Sequence, residues 1–175
     1  MAISQDLRQY LPASLQVTAI NRAAGTDAEA RAAILAAWNN GPMLVSYAGH
    51  GSLEVWTGAG LLRSSDAPTL TNGNRLPGVF ALTCLNGHFH DANAESLGEA
   101  LVKAPNGGAV ATWMSSALTF APGQQAMARQ LYQYLYQGGA SARLGDAIKF
   151  AKSGTGDLDV RRTWILFGDP TMPMR

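Results

Sequence analysis

The chain has 175 residues, 47% of them hydrophobic, and 13 Lys+Arg against 12 Asp+Glu give a formal net charge of +1. That is enough chain for one domain with a real core, and the near-neutral balance implies no polyelectrolyte partner. Basic residues are not clustered with aromatics as on a nucleic-acid surface, no run reaches the ~18–20 apolar residues of a membrane span, and MAISQDLRQYLP lacks the features of a signal peptide.

In chain order, residues 4–11 predict a short helix capped by Ser4, and LQVTAIN (15–21) predicts a strand. Asp27 opens an Ala-rich helix that ends near Asn39–Gly41. Pro42 introduces MLVSYAG, an apolar run of the type buried on both faces of a sheet. Residues 52–76, rich in Gly, Ser, Pro and Asn, predict mostly loop with at most a short helix. GVFALTC (78–84) is the next buried strand, followed by a helix over 95–104 and a strand over 107–116. Two more helices span 123–136 and 142–152, residues 153–160 read as a surface loop, and RTWILFGDP (162–170) supplies a last strand and turn. Strands alternating with helices imply βαβ units and a mainly parallel sheet.

Two of these strands end on reactive side chains: YAGHGS carries His50, and LTCLNG carries Cys84, the only cysteine. Neighbouring carboxyl ends in an open α/β sheet share one crevice, where ligands bind. An imidazole and a thiol there can form a nucleophile and its acid/base partner although 34 positions separate them. Taken singly, each residue has a plainer reading. His50 can serve a loop carbonyl, and Cys84 can be an inert, buried small hydrophobe. Together they point to a cysteine-dependent acyl-transfer enzyme. Backbone N–H groups just past His50 and Cys84 could hold an oxyanion.

His88 and His90 keep a second chemistry open, a transition-metal site made with His50 and Cys84. The absence of a second cysteine and the loop character of 85–93 argue for polar histidines near the cleft and no metal. The glycines lack the lysine of a phosphate loop, and GHGS is not a nucleophile elbow. Glu95, Glu99, Asp157, Asp159 and Asp169 are scattered, and Asp169 in FGDP reads as a turn-former.

YAGHGS with Trp56, LTNGNRLP, LTCLNGHF, SLGEALVKAPNGGAVATWMSS and TWILFGDP, in that order, resemble the gingipain-type cysteine peptidases of the caspase-like clan. The resemblance covers most of residues 42–175. It implies a caspase-like three-layer αβα sandwich, one domain over 1–175 that corresponds to the carboxyl-terminal half of a peptidase domain and lacks the first strand. It implies a cysteine endopeptidase with His50 and Cys84 as the dyad, working through a thioester acyl-enzyme without a cofactor. Gly51 and Cys84 would supply the oxyanion amides, and Ala48, Gly49, Leu82, Ser115 and Ser116 would wall the first specificity pocket. Thr83 stands where the family usually has Ala. By resemblance the protein is secreted or at the cell surface, acts on protein or peptide substrates, and pairs with the preceding half of the domain or with itself. Two other functions remain open: sortase-like transpeptidation and a catalytically silent binding or secretion module.

Overall fold

The computed structural model describes residues 2–137 and 142–173. Its helices are α1 (Ala2–Arg8), α2 (Asp27–Asn39), α3 (Leu97–Lys103), α4 (Ala121–Gln137), α5 (Leu144–Ser153) and α6 (Leu158–Thr163). Its strands are β1 (Leu44–Ala48), β2 (Gly51–Ser52), β3 (Val55–Trp56), β4 (Leu62–Arg63), β5 (Gly78–Leu82), β6 (Ala111–Ser115) and β7 (Trp164–Phe167). Four strands form the main sheet in the order β1-β5-β6-β7, parallel except for the last pair. β2, β3 and β4 form a small antiparallel sheet inside the predicted loop, followed by a 3-10 turn over Ser64–Thr69.

The apolar runs at the centre of the sheet sort strictly by alternation, as side chains on a pleated strand must. Phe80 and Leu82 of β5, with Ala111 and Trp113 of β6, enter one core beneath α4, α5 and α6. Val79, Ala81 and Met114 enter the other, with Trp38 of α2, Leu97 and Leu101 of α3, and Trp56 and Leu62 of the small sheet. β5 and β6 are buried along their whole length. These two cores make the sheet the middle of three layers.

The helices start where local chemistry satisfies their free amides. Thr26 and Glu29 form a capping box on α2, and Ser96 and Glu99 form one on α3. Arg31 of α2 pairs with the buried Asp66 and fastens that helix over the 3-10 turn.

Three sequence expectations are corrected. LQVTAIN forms no strand; 15–21 is irregular, and all but Leu15 in it are exposed. Alternation alone cannot hold a strand without a ladder partner. Ser4 lies inside α1, which begins before it. The expected loop over 153–160 gives way at Leu158 to α6. The Asp157 carboxylate accepts from the amides of Asp159 (3.0 Å) and Val160 (3.1 Å), and Val160 is fully buried. The closing strand is correspondingly shorter, starting at Trp164 rather than Arg162.

Candidate active site

Parallel pairing places Ala48 opposite Leu82. His50 and Cys84 each lie two residues further on, so the ladder delivers both to one level at the carboxyl edge of the sheet. The pairing Ala81↔Met114 puts Ser115 in the same last row as Ala48 and Leu82. Three of the expected pocket residues thus share the last row of the sheet, and Ala48 and Leu82 stand just ahead of His50 and Cys84 in the chain.

Each catalytic candidate is presented by a tied loop. His50 is exposed. Its carbonyl accepts from the Tyr47 hydroxyl at 2.8 Å and the Thr57 amide at 2.9 Å. The Tyr47 ring stacks on Trp56 with centroids 4.1 Å apart, and burial pushes its phenol up to about 12. Behind Cys84 the chain turns sharply through Leu85, at φ 60°, a region costly for a branched side chain. The turn is held by Asn86 N donating to Cys84 O (2.8 Å), Leu85 N to Ala117 O (3.3 Å) and Gly87 N to Ser115 O (2.9 Å). Cys84 is half-buried, and its Sγ lies 3.5 Å from Thr119 O in the segment leading into α4.

The two loops are then stitched together. The Asn86 side-chain amide donates to Ser52 O and to Val55 O (3.3 Å), crossing from the cysteine loop to the histidine hairpin. At the start of α3, Leu97 N donates to Leu53 O (2.9 Å) and Gly98 N to Asn86 O (2.8 Å), so one helix end grips both loops. Gly51 sits in the seam. A Cβ there would lie 2.2 Å from Thr83 Oγ1, 2.8 Å from Asn86 Oδ1 and 3.1 Å from Cys84 O. No other residue type fits without displacement, and the Gly51 backbone is held against that of Cys84.

A family model described as peptidase family C25 matches residues 1–175. The chain belongs to that family. It is 32% identical over 158 residues to gingipain R2 of Porphyromonas gingivalis, covering 81% of this chain and 21% of that protein. Gingipain R1 of the same organism matches at the same identity and covers 15% of its own length. The chain therefore spans about a fifth or less of these relatives. The solved Arg-specific cysteine proteinase gingipain R (RGPB) superposes with a TM-score of 0.79 at 25% identity, over 99% of this chain and 41% of that one. The complex of RgpB pro- and mature domains matches with a TM-score of 0.77 at 24% identity, over 99% and 42%. The fold of this C25 chain is thus the caspase-like sandwich.

The other named residues of the C25 chain fall into two groups. Ala48 is half-buried and Gly49 exposed, whereas Leu82 and Ser115 are buried. The Ser115 hydroxyl donates to Ala117 O at 2.9 Å, so it shapes the loop rather than facing solvent. Ser116 is half-buried, and its carbonyl accepts from His88 Nδ1 at 2.8 Å. The His88 and His90 ring centroids lie 3.8 Å apart with the planes tilted by 45°, yet among the described residues no group of three or more His, Cys, Asp or Glu comes together as a metal cage. A cavity of about 270 Å³, lined by Met43, Gly78, Val110 and Met172, lies at the opposite, amino-terminal ends of β1 and β5. Ligands of such sheets bind at the carboxyl ends, which favours the edge that carries His50 and Cys84. Asn86 and Thr119 went unnoticed in the sequence. The only signal for Asn86 was its place two positions after a strand-end cysteine.

Proposed function

We propose that this chain carries the reactive centre of a cysteine endopeptidase. Proton transfer from the Cys84 thiol to His50 gives the thiolate, which attacks the scissile carbonyl. The tetrahedral oxyanion rests on the Gly51 and Cys84 N–H groups. Its collapse expels the amine, which takes the proton from His50, and leaves a thioester on Cys84. Water, deprotonated by His50, then releases the acid and restores the thiol. One observation supports this reading above the others: the ladder brings His50 and Cys84 to the same level, with Gly51 pressed against the Cys84 backbone.

The first specificity pocket is carried over from the family; of its expected walls, Ala48, Gly49 and Ser116 keep some exposure, while Leu82 and Ser115 support them from within the core. Export and action on proteins are carried over from the family. So is a further strand on the free edge of β1, contributed by the preceding half of a peptidase domain.

The test is alkylation of Cys84 by iodoacetamide across pH, with and without His50→Ala. A dyad makes labelling fast at neutral pH and slows it by an order of magnitude or more in the variant. Labelling that ignores His50 would leave a binding module as the better reading.

A further inference from the structure

Five buried side-chain polar atoms find no hydrogen-bond partner among the described residues, and three of them are indole nitrogens. The other two are oxygens, Thr83 Oγ1 and Asn86 Oδ1, and both face one point. A Cβ on Gly51 would lie 2.2 Å from the first and 2.8 Å from the second. Buried oxygens are nearly always satisfied, so two orphans beside one glycine call for a reason. Thr83 is 1% exposed and Asn86 fully buried, which seals both oxygens from solvent. The Asn86 amide cannot turn round to relieve its oxygen. Its nitrogen already donates to the Ser52 and Val55 carbonyls, and an oxygen there would face two acceptors. The backbone is equally fixed, since Gly98 N holds Asn86 O at 2.8 Å and Gly49 N holds Leu82 O at 3.1 Å.

Thr83 connects two groups that the proposed reaction uses. The Cys84 N–H belongs to the peptide joining Thr83 to Cys84, while the Thr83 side chain lies against Gly51, the source of the other N–H. A carbon–carbon bond here is about 1.5 Å long, so Oγ1 lies within about 3.7 Å of the Gly51 Cα. We infer that Thr83 is a positioning residue for the oxyanion site: its hydroxyl oxygen sets the spacing between the Gly51 and Cys84 amides, so that both donate to one oxygen atom. The inference rests on the proposed dyad and oxyanion site. The atom type matters because it decides how closely Gly51 can approach. An oxygen takes a Cα–H at about 3.3–3.6 Å, whereas a methyl carbon rests at about 3.5–4.0 Å. Asn86 Oδ1 and Cys84 O, the latter 3.1 Å from the same point, complete a ring of three oxygens around that side of the glycine. The orphaned oxygens thus hold the histidine hairpin close to the cysteine loop, where a carbon would push it away.

The test compares two reactions of Cys84 in the full 175-residue chain. Acetyl transfer from p-nitrophenyl acetate forms the Cys84 thioester, expels p-nitrophenolate, sends the thiol proton to His50 and passes through an oxyanion. Alkylation by iodoacetamide expels iodide from the same thiolate and forms no oxyanion. The ratio of the two rates therefore reads the oxyanion site with thiolate formation divided out. A misplacement of ~1 Å can cost ~10²-fold, so Thr83→Val, which puts a methyl in place of the hydroxyl, is expected to lower the ratio at least about 5-fold. Thr83→Ala removes the oxygen without adding bulk and is expected to lower it in the same direction, which keeps the test decisive if the valine variant does not fold. Thr83→Ser keeps the oxygen and is expected to keep the ratio. A ratio unchanged in either the Val or the Ala variant, or an equal fall in the Ser variant, overturns the positioning role whatever happens to the unfolding midpoint. If His50→Ala slows both reactions while the Thr83 variants leave the ratio intact, the dyad stands and the positioning role alone falls. Alkylation indifferent to His50→Ala, or no acetylation of Cys84 in the wild-type chain, overturns both.

Discussion

At the scale of single residues, the seam at Gly51 makes the sharpest demand. Gly51→Ala is expected to destabilise the protein by about 1–3 kcal/mol, the usual cost of forcing atoms into a packed site, and to slow Cys84 alkylation. The nearest obstacle is Thr83 Oγ1, which is buried and has no hydrogen-bond partner among the described residues. Thr83→Ala is therefore expected to be mild alone, because it removes a group that makes no bond, and to recover part of the Gly51→Ala loss. Urea unfolding of the two single variants and the double variant measures that coupling; strict additivity would contradict the packing described. Tyr47 offers a test by pH. Its folded value of about 12 lies above the ordinary phenol value of 10.0, so the folded state keeps a proton that the unfolded state loses. That contribution is complete below pH 10 and disappears as pH rises towards 12. The unfolding midpoint of the wild-type chain should thus fall more steeply between pH 10 and 12 than that of Tyr47→Phe. Tyr132 and Tyr136, also raised by burial, are common to both proteins and cancel.

At the scale of elements, the α3 cap is the joint on which both loops hang. Ser96 is fully buried, its hydroxyl bonding the Glu99 carboxylate at 2.7 Å. Ser96→Ala should cost about 1 kcal/mol as the loss of a cap. Because Leu97 and Gly98 hold Leu53 and Asn86, it should also raise amide exchange in 50–53 and 84–87 more than in α5. Uniform exchange across all three segments would mean that the cap only supports its own helix. The elements of the core were legible because β1, β5 and β6 are apolar runs bounded by Pro, Gly and Asn, and α2 carries its own start signal. LQVTAIN misled because strand propensity reports fitness for a pleated surface, and no such surface is offered to it here. α6 was hidden because six residues carry too little periodicity, and its only cue was Asp157 before an apolar residue. For the site, His50 and Cys84 were readable as strand-end side chains. Asn86 was not, since its role depends on Ser52 and Val55, more than thirty positions away.

At the scale of the whole molecule, the sheet is unevenly finished. β5 and β6 are buried throughout, whereas β1 is at best half-buried, with Ser46 exposed, and has β5 as its one ladder partner among the described residues. An open edge on an apolar strand invites another strand. The isolated 175-residue chain is expected to sediment as oligomers or to precipitate at micromolar concentration. A monodisperse monomer that unfolds in one cooperative step would refute that expectation.

The excursion between β1 and β5 bears on how His50 and Cys84 are held together. His50 and Cys84 are joined through the ladder, the Asn86 amide and the start of α3, and not through the peptide that runs from one to the other. That peptide reaches the surface at Gly58, where an added Cβ would meet nothing within 4 Å. Severing the backbone there should leave two fragments that elute as one particle and unfold together. Covalent continuity between His50 and Cys84 is then dispensable, and a chain clipped at this turn keeps the two side by side as a non-covalent pair.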